Sequence, residues 1–127
     1  MATILVIEDN PDNMTLAVLL LRSAGHTVLS AITAEAGLTI AHAELPDLIL
    51  MDIQLPGMNG LEATALLKGD SATRAIPVIA LTALAMKGDE ERIRAAGCDG
   101  YIAKPMGVHS FLAAVAAQLT AAVPLAS

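Results

Sequence analysis

Asp52 ends the apolar run Leu48-Ile49-Leu50-Met51 and precedes Ile53-Gln54-Leu55-Pro56-Gly57. An acid there stands where a buried strand stops and a turn begins. Glu8 and Asp9 follow Thr3-Ile4-Leu5-Val6-Ile7, Thr82 follows Val78-Ile79-Ala80-Leu81, and Lys104-Pro105 follows Tyr101-Ile102-Ala103. If these strands run parallel, three carboxylates, a hydroxyl and an ammonium meet at one edge of a sheet. Carboxylates packed that closely repel and raise one another's pKa unless a cation sits among them. Mg²⁺ takes oxygen ligands, few of them from protein, and completes its octahedron with water and phosphate oxygens. Asp9 and Asp52 are the best direct ligands. Glu8 can bind directly or through water, and the backbone carbonyl of Gln54 is placed to be a third protein ligand.

A carboxylate that attacks a phosphoryl group forms an acyl phosphate. Such a transfer needs mainly positioning and charge neutralisation, which Mg²⁺ and Lys104 would supply. Lys104 is a compact cation able to pair first with Asp52 and then with a phosphoryl oxygen. Thr82 can hydrogen-bond a phosphoryl oxygen once it is present. That bond exists in one covalent state only, so it can bias a conformational equilibrium. Taken singly, each residue has a plainer reading. Asp9 can cap the turn of Asn10-Pro11, Thr82 can cap a helix, and Lys104 can be a solvated charge. Their joint placement at the strand ends points to chemistry.

The elements that must position these groups alternate along the chain. Short β-branched or leucine-rich runs occupy residues 3–7, 27–31, 48–51, 78–81 and 101–102. Between them the apolar spacing is helical. Met14, Ala17, Val18, Leu21 and Ala24 share one helix face, with Asp12 as the expected N-cap and Gly25 as the stop. Thr33 caps a helix through about Ala43 that Pro46 closes. Asn59 and Glu62 form a capping-box pattern for residues 60–68. Thr82 or Ala83 opens a charged helix ending near Gly97, in which Glu90 and Arg94 make an i,i+4 pair. Val108, Phe111, Leu112, Val115 and Leu119 mark a last helix. Strand and helix in fivefold alternation predict a parallel sheet covered on both faces. Right-handed crossovers then bring every strand C-terminus to one edge, where ligands of open α/β sheets gather.

Composition narrows the function classes. The 127 residues make one domain, 1–122, with a short tail at 123–127. Apolar residues are 55% and aromatic residues 2%, which fills a core and leaves no base-stacking surface. A net charge of −6 argues against a nucleic-acid groove or a polybasic membrane patch. The lone cysteine, Cys98, forms no internal disulfide and reads as a buried filler. His26, His42 and His109 are scattered and read as surface residues. The apolar stretch 16–21 is cut by Arg22 and no leader pattern is present, so the expected compartment is the cytoplasm.

The motifs Val6-Ile7-Glu8-Asp9-Asn10, Leu50-Met51-Asp52-Ile53-Gln54-Leu55-Pro56-Gly57-Met58-Asn59-Gly60, Ala80-Leu81-Thr82-Ala83 and Tyr101-Ile102-Ala103-Lys104-Pro105 resemble response-regulator receiver domains from about residue 2 to 120. The stretch Ala85-Met86-Lys87-Gly88-Asp89-Glu90-Glu91-Arg92-Ile93 is similar to the single-domain, polar-differentiation type of regulator. The resemblance implies a doubly wound, CheY-like (βα)5 fold with strand order 2-1-3-4-5. It implies Asp52 as phosphoacceptor, a Mg²⁺ site of Glu8, Asp9, Asp52 and the Gln54 carbonyl, Thr82 and Tyr101 as a switch pair, and Lys104 as the phosphate-sensing cation. It also implies a cis bond between Lys104 and Pro105. The first acidic position is Glu8 where many relatives have Asp, and its longer side chain favours a water-mediated metal contact.

In the switch, Thr82 moving toward a phosphoryl group would vacate space for the Tyr101 ring. The surface between the fourth and fifth helices, near Ala85, Met86, Tyr101, Met106 and Val108, would then change shape for a downstream protein partner. The expected function is phosphoryl acceptance from a histidine kinase or histidine phosphotransfer protein by a monomer or weak dimer, with output through binding and no effector enzyme. A receiver excised from a hybrid histidine kinase is the alternative. An aspartyl-phosphate hydrolase would usually need an acid at the position of Gln54. A flavodoxin-like flavin binder would need a Ser/Thr/Gly-rich loop after the first strand.

Overall fold

Two of the apolar runs are buried along their whole length, which only a sheet covered on both faces allows. A computed structural model of the chain describes residues 2–83, 87–104 and 107–122. The strands are β1 (Thr3–Ile7), β2 (Thr27–Ala31), β3 (Leu48–Asp52), β4 (Val78–Thr82) and β5 (Gly100–Ala103). They form one sheet in the order β2-β1-β3-β4-β5, every pair parallel. The helices are α1 (Pro11–Ser23), α2 (Ala34–Glu44), α3 (Gly60–Lys68), α4 (Lys87–Ala95) and α5 (Val108–Ala122).

Alternation along the strands divides the core in two. Ile4, Val6, Leu48, Leu50, Ile79 and Leu81 pack with Ala17 and Leu21 of α1 and with Phe111 and Val115 of α5. Leu5, Ile7, Ile49, Met51, Val78 and Ala80 pack on the other face with residues of α2, α3 and α4. The expected order 2-1-3-4-5 is therefore the observed one. Since β1 and β3 lie side by side at its centre, the ends of these strands are the best-covered part of the C-terminal edge.

Three details differ from the sequence reading. Asn10, not Asp12, caps α1: its side-chain oxygen accepts from the amides of Asp12 and Asn13, and Asp12 lies in the first turn. Pro11 takes the first helical position, where a missing N–H matters least, so the cap falls one residue before it. Thr82 is the last residue of β4 and does not open a helix; α4 starts at Lys87. Leu45 closes α2 in the left-handed conformation (φ 46°), a position that usually takes Gly or Asn. Thr33 and the Asn59–Glu62 capping box stand as expected.

Away from the site edge the loops are tied by side chains. Lys68 Nζ donates to the carbonyls of Arg74 (3.3 Å) and Ile76 (2.8 Å) and to Asp99 Oδ2 (2.9 Å). This one ammonium joins the α3–β4 loop to the turn before β5. Cys98 is buried against Thr64, as a filler. No helix among the described residues is long and apolar enough to cross a membrane. The expected tail 123–127, the Lys104–Pro105 bond, and Ala85, Met86 and Met106 lie outside the described residues.

His42 is exposed, as expected, yet it is paired. Its Nδ1 faces the Leu38 carbonyl at 2.9 Å and its Nε2 faces Asp70 Oδ2 at 2.7 Å. The bond to Asp70 raises the His42 pKa above 6.5 and lowers that of Asp70 below 3.8. The histidine's contribution to stability is full below its unfolded pKa and fades as pH rises through the raised folded value. The aspartate's is full above its unfolded pKa and fades as pH falls through the lowered one. We therefore expect His42→Gln to lower the urea midpoint most near about pH 5, with the deficit shrinking as pH rises past the ordinary histidine value of about 6.5. A deficit that grows with pH would contradict the pairing.

Candidate functional site

Strand register carries the acids to one point. Ile7 of β1 pairs with Met51 of β3, so the next residues, Glu8 and Asp52, leave the sheet side by side. Glu8 donates its amide to the Ala31 carbonyl, and Ile53 donates to Leu81. These bonds hold both acids in line with the strands although the ladder is ending. Thr82 pairs with Ala103, and the Lys104 amide donates to the Thr82 carbonyl at 2.7 Å. Lys104 thus leaves β5 beside Thr82 and turns its ammonium to the acids.

The side chains then meet. Single oxygens of Glu8, Asp9 and Asp52 all lie within 4.8 Å of one another. Lys104 Nζ stands 2.7 Å from Glu8 Oε1 and 3.2 Å from Asp52 Oδ2. Asp52 Oδ1 accepts from the Gln54 amide at 2.9 Å, and Glu8 Oε2 from the Asn10 amide at 3.2 Å. Glu8 and Thr82 are 0% exposed and Asp52 2%, whereas Asp9 faces solvent. The site is a buried pair of acids with one open acid at its mouth.

Electrostatics separates the two buried acids. Burial first, and then the proton shared with Asp52, push the Glu8 pKa up to about 7 against the pull of Lys104. Burial also pushes Asp52 up, but the bond with Glu8, the Gln54 amide and Lys104 outweigh it, and its pKa falls below the ordinary value. Lys104 loses basicity to burial and regains more from the two acids, so it stays charged. Of the pair, Asp52 is thus biased toward its charged form and Glu8 toward its protonated one.

The donor set suits a hard divalent ion. Three carboxylates supply oxygen ligands alone, as Mg²⁺ requires. Among the described residues, the buried Glu8 Oε1 is met by the Lys104 ammonium and by no further hydrogen-bond donor.

Four of the strand-end residues expected from sequence converge by their side chains, Glu8, Asp9, Asp52 and Lys104, while Thr82 is tied to Lys104 through its backbone carbonyl. Gln54 enters by its amide. Tyr101 is set apart at the surface, where its hydroxyl donates to Glu90 Oε2 at 3.4 Å. Sequence reasoning paired Lys104 with Asp52, but the shorter contact is with Glu8. It also missed Gly60. A side chain there would strike the Asp52 carbonyl oxygen and come within 2.7 Å of Ile53 Cα. Its place at the start of a capped helix, eight residues after the acid, was the available signal.

Comparison with known proteins agrees with this geometry. The response regulator receiver domain family matches residues 4–116. The polar-differentiation response regulator DivK of Brucella ovis is 47% identical over 117 residues, spanning 92% of this chain and 95% of that one. The receiver domain of a sensor histidine kinase from Pseudomonas aeruginosa is 34% identical with a TM-score of 0.87, covering 94% of this chain and 98% of that one. That structure is described with a magnesium ion coordinated in its active-site cleft. A CheY-like receiver protein from Methanospirillum hungatei has a TM-score of 0.88 at 27% identity, covering 96% of each chain.

Gly60 tests the backing of the site. We expect Gly60→Ala to destabilise the protein by about 1–3 kcal/mol in urea unfolding, because α3 must retreat from β3. Gly88→Ala, in α4 with nothing within 4 Å of the added carbon, should instead stabilise by about 0.5–1 kcal/mol. A Gly60→Ala chain as stable as the parent would contradict the close approach.

Proposed function

The chain belongs to the response regulator receiver domain family, and we propose that it accepts a phosphoryl group on Asp52 from a phosphohistidine of a histidine kinase or phosphotransfer protein. One observation carries this reading: Asp52 is the buried strand-end acid that faces both the neighbouring carboxylates and the Lys104 ammonium. An Asp52 oxygen attacks phosphorus, an O–P bond forms, and the P–N bond breaks with its electron pair passing to the imidazole. Lys104 neutralises the phosphoryl oxygens on one side. Glu8 holds Lys104 in place, and Asp9, open to solvent, lies on the entry side. A bound Mg²⁺ would stabilise charge on the transferring group, held by Asp9, Asp52 and the Gln54 carbonyl, with Glu8 acting through water. Thr82 and Lys104 then bind the new phosphoryl oxygens, and Tyr101 follows Thr82.

The receiver reading covers residues 1–122, with 123–127 as a tail. Output is by protein binding at the α4–β5–α5 face, including Tyr101 and Val108, from a monomer or weak dimer. The compartment is the cytoplasm, where ATP-fed histidine kinases supply phosphoryl groups. The reading as a single-domain regulator is supported by the 47% identity to a polar-differentiation response regulator. Kinship with the Pseudomonas receiver keeps a hybrid-kinase receiver as the second reading. A steady-state hydrolase is disfavoured because Gln54 offers no acid for a leaving group.

We expect Asp52→Asn to abolish labelling by a small phosphodonor with Mg²⁺; undiminished incorporation would refute the assignment. Thr82→Ala should label at near-parental levels but show smaller phosphorylation-induced shifts of α4 and β5 amides by NMR. Loss of labelling as complete as in the Asp52 variant would place Thr82 in the transfer itself.

A further inference from the structure

Tyr101 pairs in register with Ala80, and Ala103 with Thr82. Side chains alternate along a strand, so Tyr101 and Thr82 project from the same face of neighbouring strands, the face whose core includes both Ala80 and Ile93 of α4. Thr82 is fully buried there, while the Tyr101 ring reaches outward and is 37% exposed. What meets its hydroxyl is Glu90 of α4, through Oε2 at 3.4 Å. The other oxygen of that carboxylate accepts from Arg94 Nε at 3.4 Å, one turn further along α4. Glu90 thus divides its two oxygens between the strand and its own helix. Tyr101 and Arg94 also wall an open groove of about 270 Å³ with Gly100, Asp99 and Gln118.

We propose that Glu90, anchored by Arg94, is the positioning residue that holds Tyr101 outward, so that inward movement of the ring must break the Glu90–Tyr101 bond. The proposal rests on the phosphoacceptor reading above. Once the ring leaves, Glu90 is free to pair with Arg94 alone, and the groove loses one wall. Phosphorylation would then change shape and charge together on one surface. The bond is exposed and long, so it sets the balance between two states and does not block either. An exposed pair of this kind shifts such a balance by about two- to fivefold.

The chain has one tyrosine and no tryptophan, so ultraviolet emission reports this ring alone. The full chain and Glu90→Ala would be titrated with beryllofluoride, a phosphoryl mimic, in the presence of Mg²⁺. Removing the carboxylate should brighten emission before any mimic is added, and lower the half-saturating concentration about two- to fivefold. In a Tyr101→Phe background, followed by calorimetry, Glu90→Ala should leave that concentration unchanged, because the hydroxyl is already gone. Unaltered emission, or an equal shift in both backgrounds, would overturn the proposal. Failure of the parent chain to take up beryllofluoride at Asp52 would overturn the phosphoacceptor reading and the switch with it. Uptake with no Glu90 effect would overturn the proposed role of Glu90 alone.

Discussion

Two carboxylates and one ammonium share a space from which water is nearly excluded. Glu8 and Asp52 are buried side by side, and Lys104 touches both, at 2.7 and 3.2 Å. Burying an acid is tolerable only with a partner, and burying two with one partner leaves negative charge in excess. That excess is the central constraint on the structure. It explains why the Glu8 pKa is pushed up to about 7 while that of Asp52 is lowered, and why the set of oxygens suits a divalent cation. It also explains why the site tolerates little displacement: the opposing charges balance only at short range.

The rest of the fold holds that balance in place. Parallel strands bring β1 and β3 together at the sheet's centre, and β4 and β5 deliver Thr82 and Lys104 from one side. Besides Lys104, the backbone amides of Asn10 and Gln54 meet the two buried acids, and the strands stand behind them. Gly60 lets α3 approach the backbone of Asp52 and Ile53 closely, and its amide donates to the Ile53 carbonyl at the start of the loop carrying Gln54. The apolar core on each face keeps these strands straight, and the edge opens to solvent at Asp9.

Much of this was legible in the sequence because it depends on local pattern. Unbroken runs such as Leu48-Ile49-Leu50-Met51 signal strands covered on both faces, and every run except 27–31 leads to a residue with chemistry. Alternation with helical segments points to a parallel sheet covered on both faces, while the strand order 2-1-3-4-5 was implied by the resemblance to receiver domains. What was not legible depends on contacts between distant segments. The sequence placed Lys104 beside Asp52 but could not show that Glu8 would lie nearer. It offered Asp12 as a cap, since Asp is a good one, but Pro11 moves the cap back to Asn10. Leu45 in a left-handed conformation has no sequence signal, because leucine rarely goes there. The ties made by Lys68 and by Glu90 join elements up to 31 residues apart, and no spacing rule reaches that far.

The account stands on the identity of one acceptor atom group among three crowded acids. Its most direct test is to react the chain with a phosphohistidine donor and Mg²⁺, reduce the acyl phosphate with borohydride, and map the reduced residue by peptide mass spectrometry. The result expected is modification at Asp52 alone. Modification at Glu8 or Asp9, or none in a chain that has demonstrably bound Mg²⁺, would contradict it.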